Sequence, residues 1–185
     1  MGLTPLDGLM MGTRSGSIDP SIIEYISKAR NMSIENINRS LNSNAGLKGI
    51  AGKNDFRDIL ELSLKGDERG KLALLMFEKS IVKYIAEYYF ELNGNVDAIA
   101  FTAGIGENSS ELREDIINLI SNSMGIKLDK KVNDKIARFK ELQSGVISKE
   151  DSKIKVFVIP TNEEYMIYKD TYDLYQDIKT KVKVR

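Results

Sequence analysis

Residues 96–112, VDAIAFTAGIGENSSEL, change pattern twice. Val96 to Ala103 is an apolar run with the length of a buried strand, read as a strand over 96–102. Gly104-Ile105-Gly106 breaks that run, and from about Ser109 to Ser121 apolar residues return at helical spacing. A strand that passes through a glycine bend into a helix is half of a βα unit, and open α/β sheets bind ligands at the carboxyl ends of such strands. The bend itself has two readings. It is a plain turn with Asn108 and Glu111 as the N-cap arrangement of the next helix, or a loop whose bare backbone and free N–H groups admit a phosphate or ribose.

The pattern recurs near the C-terminus. Lys155-Val-Phe-Val-Ile159 is a second strand, and Pro160-Thr161-Asn162-Glu163-Glu164 turns it into a final helix to about Asp177. Thr161 and Glu164 fit a capping box, which employs Glu164 and leaves Glu163 free. A free carboxylate at the mouth of a phosphate site suits Mg²⁺, which takes few protein ligands. Between the two units lie a weaker helix, roughly Lys131 to Leu142, and a short candidate strand, GVIS at 145–148. Both clear strands are apolar on both faces, as in a parallel sheet covered by helices. Two or three strands make a poor parallel sheet, so the pattern implies an incomplete one.

Residues 1–95 read as mainly helical. Thr4 and Pro5 begin a short helix, Asp19-Pro20 opens another through about Lys28, and Ser33 caps a third to about Leu41. NSNAGLKGIAGKND, residues 42–55, reads as a loop. Asp55 caps a helix that begins with Phe56. The longest helix runs from Asp67 to Leu92, with Leu74, Phe77, Ile81, Ile85, Tyr88 and Leu92 as one apolar stripe.

Composition narrows the chemistry. The 185 residues are 42% hydrophobic and 29% charged, with 27 basic and 27 acidic side chains, so no net field draws nucleic acid or an anionic membrane. No segment reaches the roughly 20 apolar residues of a membrane span, and the N-terminal residues lack a signal-peptide pattern. There is no cysteine and no histidine. That excludes disulfides, thiolate catalysis and any triad built on histidine, and it is compatible with the cytoplasm. The remaining inventory of carboxylates, Arg, Lys and backbone amides suits phosphoryl transfer, where positioning and charge neutralisation dominate.

Two further groups have paired readings. Arg14, between Gly12 and Gly16, is a solvated loop arginine or a guanidinium fork for a carboxylate or phosphoryl group. Asp55-Phe56-Arg57 is a helix start or, as a nucleotide contact, a ribose acceptor beside a planar cation. Taken together with Gly104–Gly106 and Glu163, they favour a nucleotide site.

The blocks MGLTPLDGLMMGTRSGSIDP, GLKGIAGKNDFRD, FTAGIGENS and IPTNEE, in that order, resemble the acetate kinases and their near twins the propionate kinases, over essentially the whole chain. The resemblance implies an actin-like (ribonuclease H-like) α/β fold, here an incomplete domain with helices packed on a small parallel sheet. It implies the reversible formation of acetyl phosphate and ADP from acetate and Mg-ATP. By the same match, Arg14 would stabilise the phosphoryl group in transfer, and Asp55, Phe56 and Arg57 would border the adenosine. Gly104, Ile105, Gly106, Glu107 and Asn108 would wrap the adenine and approach the phosphates, and Glu163 would be the magnesium ligand. Lys48 and Ala51 depart from the family, which has an apolar residue and a serine there.

The resemblance also implies a single partial C-terminal domain, with 1–95 as its mainly helical part and 96–185 as βα units carrying the nucleotide and magnesium loops. The chain has less than half the family's usual length. The N-terminal domain, a phosphate-binding glycine loop, the catalytic histidines and a phosphate-site aspartate fall outside it, and Met1 matches a methionine internal to the family. The expectation is an acetate kinase portion with little activity alone, partnered by a second copy or a complementing N-terminal half. A propionate kinase portion and a non-catalytic nucleotide-binding or dimerisation remnant are the other readings.

Overall fold

The computed structural model describes residues 2–137 and 143–183. Helices α1 (Ser21–Arg30), α2 (Ile34–Ser43), α3 (Gly46–Ala51), α4 (Phe56–Leu64) and α5 (Glu68–Glu91) come first. Strand β1 (Ala98–Phe101) leads into α6 (Ala103–Asn108) and α7 (Ser110–Met124). After α8 (Lys130–Asn133) come β2 (Gly145–Val146), β3 (Lys155–Val158) and α9 (Glu163–Lys183).

The caps explain most boundaries. Ser33 accepts from Asn36 N, Asp55 from Arg57 N, Asp67 from Gly70 N and Ser109 from Leu112 N, each side chain satisfying an amide that the first turn leaves over. Gly70 lets α5 meet α4 closely, since a Cβ there would lie 2.7 Å from Leu62 Cβ. Phe56 and Phe77 pack across that contact with ring centroids 5.6 Å apart. Leu112, Ile116, Ile117, Ile120 and Met124 of α7 join Phe101, Val156 and Val158 of the sheet and Phe56, Ile59, Ala73 and Phe77 of the helical part in one core.

The sheet is mixed, not purely parallel. Its order is β1-β3-β2, with β1 parallel to β3 in the register Ala98↔Lys155 to Phe101↔Val158, and β2 antiparallel to β3. Among the described residues, helices cover one face. Phe101, Val156 and Val158 are buried, whereas Ala98 and Ala100 on the opposite face of β1 are exposed. The outer edge of β1 carries no partner strand among the described residues, as expected of an incomplete sheet.

Other expectations need correction. The segment after Thr4 forms turns, because Gly8 at φ 124 halts any helix. Residues 42–55 are not all loop, since α3 lies among them; Gly46, at φ 60, sits against Met11 O and Arg14 O, where a Cβ would stand 2.0 and 2.5 Å away. The weaker helix shortens to α8, after which the chain turns and buries Ile136; residues 138–142 lie outside the described set. The stripe on α5 reaches the core only as far as Ile85, and Tyr88 and Leu92 are exposed. Along α9, Tyr165, Met166, Ile167, Tyr168, Tyr172, Leu174 and Tyr175 are exposed.

One contact between α5 and α7 is acidic on both sides. Glu78, 7% exposed, faces Asp115. Burial, then the Asp115 charge, lifts the Glu78 carboxyl from about 4.5 to about 7, and burial and Glu114 raise Asp115 as well. The native state therefore binds the Glu78 proton more tightly than the unfolded chain, so this group lowers stability as pH rises from about 4.5 to about 7. Glu78→Gln should stabilise the protein by about 1–2 kcal/mol at pH 8, with the gain shrinking toward pH 5. Thermal melts across that range check it, and an unchanging difference would refute it.

Candidate functional site

The loops after β1 and β3 lie side by side and line a cleft of about 500 Å³. Its walls include Ala103, Gly104, Glu107 and Asn108 from the first loop and Pro160 to Glu164 from the second. A second cleft, about 670 Å³, lies between α6 and the start of α4, lined by Asn54, Asp55, Phe56, Arg57, Gly104, Ile105 and Asn108 among others. Gly104 and Asn108 belong to both clefts, so α6 is the partition between them.

The glycine bend is a short helix rather than a turn. Neither Gly104 nor Gly106 has a positive φ; the left-handed residue is Ala103, at φ 60, a conformation that costs a non-glycine residue roughly 1–2 kcal/mol. A Cβ on Gly104 would meet nothing within 4 Å. Packing does not require glycine there, and a side chain would stand in the open cleft. Asn108 is not the cap of the next helix: its Nδ2 donates to Gly104 O at 2.7 Å, and Ser109 takes the cap. Similarly, Thr161 and Glu164 do not form a capping box. Asn162 Oδ1 accepts from Tyr165 N at 3.2 Å, while Thr161 donates from both N and Oγ1 to Glu107, at 2.8 and 2.9 Å.

Glu163 is the first residue of α9 and is exposed, and its side chain makes no hydrogen bond or ion pair among the described residues. No group of three or more Asp, Glu, Cys or His gathers as a metal site among those residues. A lone exposed carboxylate of this kind would suit a hard cation that takes its other ligands from phosphate and water, as Mg²⁺ does.

Asp55 and Arg57 form a planar fork. Arg57 Nε and Nη2 donate to the carboxylate at 3.0 and 2.6 Å, and these bonds hold the Asp55 carboxyl down at about 2. Phe56 turns most of its ring into the core.

Arg14 lines neither cleft. It is half-buried, and its guanidinium reaches only Met11 Sδ, at 3.8 Å, among the described residues. Its loop docks on α3, whose Leu47 and Lys48 amides donate to Met11 O and Gly12 O. Gly12 abuts Asn54 on the rim of the second cleft, where a Cβ would lie 2.6 Å from Asn54 O. The structure thus joins Asp55, Phe56, Arg57, Gly104, Ile105 and Asn108 in one cleft and Gly104, Glu107, Asn108 and Glu163 in the other. It sets Arg14 on a neighbouring loop.

Arg113, absent from the sequence-based site, holds α6 in place. It is fully buried. Nη1 donates to Gly106 O and Glu107 O at 2.9 Å, Nε to Asn133 Oδ1 at 2.8 Å, and Nη2 to Asn133 O and Ile136 O at 3.0 and 2.8 Å. Burial lowers its pKa. The available signal was periodicity, because Arg113 falls on the same helical stripe as Ile116, Ile117, Ile120 and Met124.

The family model described as the acetokinase family matches residues 1–169. The acetate kinase of Carboxydothermus hydrogenoformans is 49% identical over 174 residues, covering 94% of this chain and 42% of its own length. That of Finegoldia magna is 46% identical over 175 residues, with the same two coverages. Among solved structures, an acetate kinase from Porphyromonas gingivalis superposes with a TM-score of 0.85 at 39% identity, over 95% of this chain and 43% of that one. A propionate kinase from Francisella tularensis gives 0.81 at 44% identity, over 90% and 41%. The chain therefore spans about 42% of the length of the curated relatives it matches.

The Arg113 contacts make a direct prediction. Arg113→Met should destabilise the protein by about 3 kcal/mol or more in urea unfolding, because it strands buried carbonyls. Arg113→Lys should restore little of this, since an ammonium offers three donors in place of a rigid fork.

Proposed function

The chain belongs to the acetokinase family, and on that premise we propose that it forms the nucleotide-binding part of an ATP-dependent acetate kinase. The reaction is the reversible transfer of the γ-phosphoryl group of ATP to acetate. One observation carries this reading: the loops at the carboxyl ends of the parallel strands β1 and β3 line adjoining clefts that share Gly104 and Asn108.

In this reading the second cleft takes the adenosine. Asp55, ionised at any pH near neutrality, accepts from the ribose, and the Arg57 plane lies beside the base, with Phe56 and Ile105 as apolar walls. The bare backbone at Gly104 lets the nucleotide pass along α6 with Asn108 toward the first cleft, while Gly106 faces Phe101 and lines neither cleft. Glu163, uncommitted elsewhere, holds Mg²⁺, which would supply charge neutralisation to the phosphates. Arg14, a guanidinium without a carboxylate partner among the described residues, is the cation for the transferring phosphoryl group. Direct in-line transfer needs no protein nucleophile, in keeping with a chain that has neither Cys nor His.

Propionate is the alternative acceptor, favoured by the 44% identity to a propionate kinase structure. We read 1–185 as a single partial C-terminal domain, with 1–95 its mainly helical part and 96–185 its βα units; the second cleft lies between the two parts. The open edge of β1 and the exposed apolar side chains of α9 favour a partner, either a second copy or a complementing N-terminal half. No helix is long and apolar enough to cross a membrane among the described residues, and the proposed setting is the cytoplasm.

Calorimetry with the purified chain should detect ATP and ADP binding. Asp55→Ala should weaken it about tenfold, the loss expected for a charge-assisted hydrogen bond. Acetyl phosphate formation by the chain alone should be negligible. Failure of both nucleotides to bind at millimolar concentration would overturn the nucleotide reading. Turnover matching that of complete relatives would overturn the need for a partner.

A further inference from the structure

We propose that Glu107 is a positioning residue, a strut that fixes the loop after β3 against α6 and so sets where Glu163 stands beside the cleft. The inference rests on the nucleotide reading above and assigns Glu107 a task different from touching the nucleotide. One carboxylate oxygen, Oε1, accepts both the backbone N–H of Thr161 at 2.8 Å and its hydroxyl at 2.9 Å. These bonds join positions 54 residues apart, on the two loops that form the first cleft.

Both ends of the strut are anchored. Behind it, the backbone carbonyls of Gly106 and Glu107 accept from Arg113, which is fully buried and tied to Asn133 and Ile136. Ahead of it, Thr161 adjoins Asn162, whose side chain caps α9 through Tyr165 N, and Glu163 opens that helix. Hydrogen bonds therefore link the core through Arg113 to Glu107 and Glu107 to Thr161, which is two residues along the chain from the free carboxylate.

The donors fix the direction of the carboxylate. Glu107 stays on the wall of the first cleft, but its Oε1 is already engaged by two donors of Thr161. Glu163 differs in having no such donors among the described residues. Two glutamates on one cleft thus have separate tasks, one as a strut and one as a ligand.

Removing the strut should leave contacts to the nucleoside intact and loosen only the carboxylate-bearing turn. The test is ADP affinity by calorimetry, first without divalent metal and then with Mg²⁺, for wild type, Glu107→Ala, Glu107→Gln and Thr161→Val. Wild type should bind ADP more tightly with Mg²⁺. Glu107→Ala should keep its metal-free affinity within about twofold and lose about tenfold of the affinity with Mg²⁺, as outer-shell partners of metal ligands do. Glu107→Gln, whose amide oxygen can accept the same two bonds, should retain most of the Mg²⁺ effect, and Thr161→Val should fall between them. Hydrogen exchange at the Thr161 amide should be slow in wild type and Glu107→Gln and fast in Glu107→Ala.

Equal loss of the Mg²⁺ effect in Glu107→Gln and Glu107→Ala would make Glu107 a charged ligand and overturn the strut. Loss of metal-free affinity in Glu107→Ala would make it a nucleotide contact, and the strut would fall on that result too. If wild type binds no ADP under either condition, the nucleotide reading fails and takes this role with it; the exchange measurement then shows whether the Glu107–Thr161 contact itself exists.

Discussion

The geometry of both clefts depends on a cation placed where no water reaches it. Burying a guanidinium costs several kcal/mol unless every donor finds an acceptor. Here the partners of Arg113 are four backbone carbonyls and one side-chain amide. Two of those carbonyls belong to the last turn of α6, the end of a helix where its own acceptors go unused and a positive charge is favoured. Asn133, also fully buried, donates onward to Ser110 O at 2.9 Å. The contacts tie α6, the first turn of α7 and α8 together. Since α6 partitions the two clefts, their shapes follow from that junction more than from the apolar core beneath.

The sheet poses a different constraint. β3 is flanked by β1 and β2, but β1 has an unpartnered edge among the described residues and an exposed outer face at Ala98 and Ala100. Small side chains on that face suit the close approach of another layer, and an open strand edge is ordinarily covered in a native protein. The same holds for α9, whose aromatic and aliphatic side chains face outward. These surfaces lie at the sheet edge and along the last helix, while the core itself is closed and no buried side-chain nitrogen or oxygen lacks a partner among the described residues. The chain is thus well packed where its helices meet the sheet and open at the edge of β1 and along α9.

Much of this was legible in the residues. Period located α5, α7 and both main strands, and the caps Ser33 and Asp55 marked the starts of α2 and α4, whereas α7 is capped by Ser109 and not by the Asn108 that the residues suggested. Parts that resisted share a physical cause: their conformation is set by distant contacts. The segment around α3 is rich in the residues that mark loops, yet Gly46 is there to let the Arg14 loop dock, and the docked carbonyls take up the amides of the short helix. α6 looked like a glycine turn because its strain sits on Ala103 rather than on a glycine. Thr161 and Glu164 had the spacing of a capping box, but Glu107 competes for Thr161 from across the cleft and Asn162 caps instead. The candidate site residues were identifiable by type and loop position. Their division between two clefts, and the displacement of Arg14 from both, follow from tertiary packing that no local pattern records.

That division bears on what the chain can do alone. Phosphoryl transfer gains most of its rate from fixed charges acting in a water-excluded site, where electrostatic interactions are far stronger than in water. Asp55, Arg57 and Glu163 are exposed or nearly so, and each cleft is bounded mainly by surfaces from two parts of the chain. A nucleoside can gain from such a surface, because stacking and ribose hydrogen bonds tolerate partial solvation. On the proposed reading a transferring phosphoryl group would gain little, since water would screen a cation on Glu163 and Arg14 lies outside both clefts. On the same reading, binding would rest on residues already converged at the second cleft, and phosphoryl transfer would need a further wall that dries the first cleft and brings Arg14 over it.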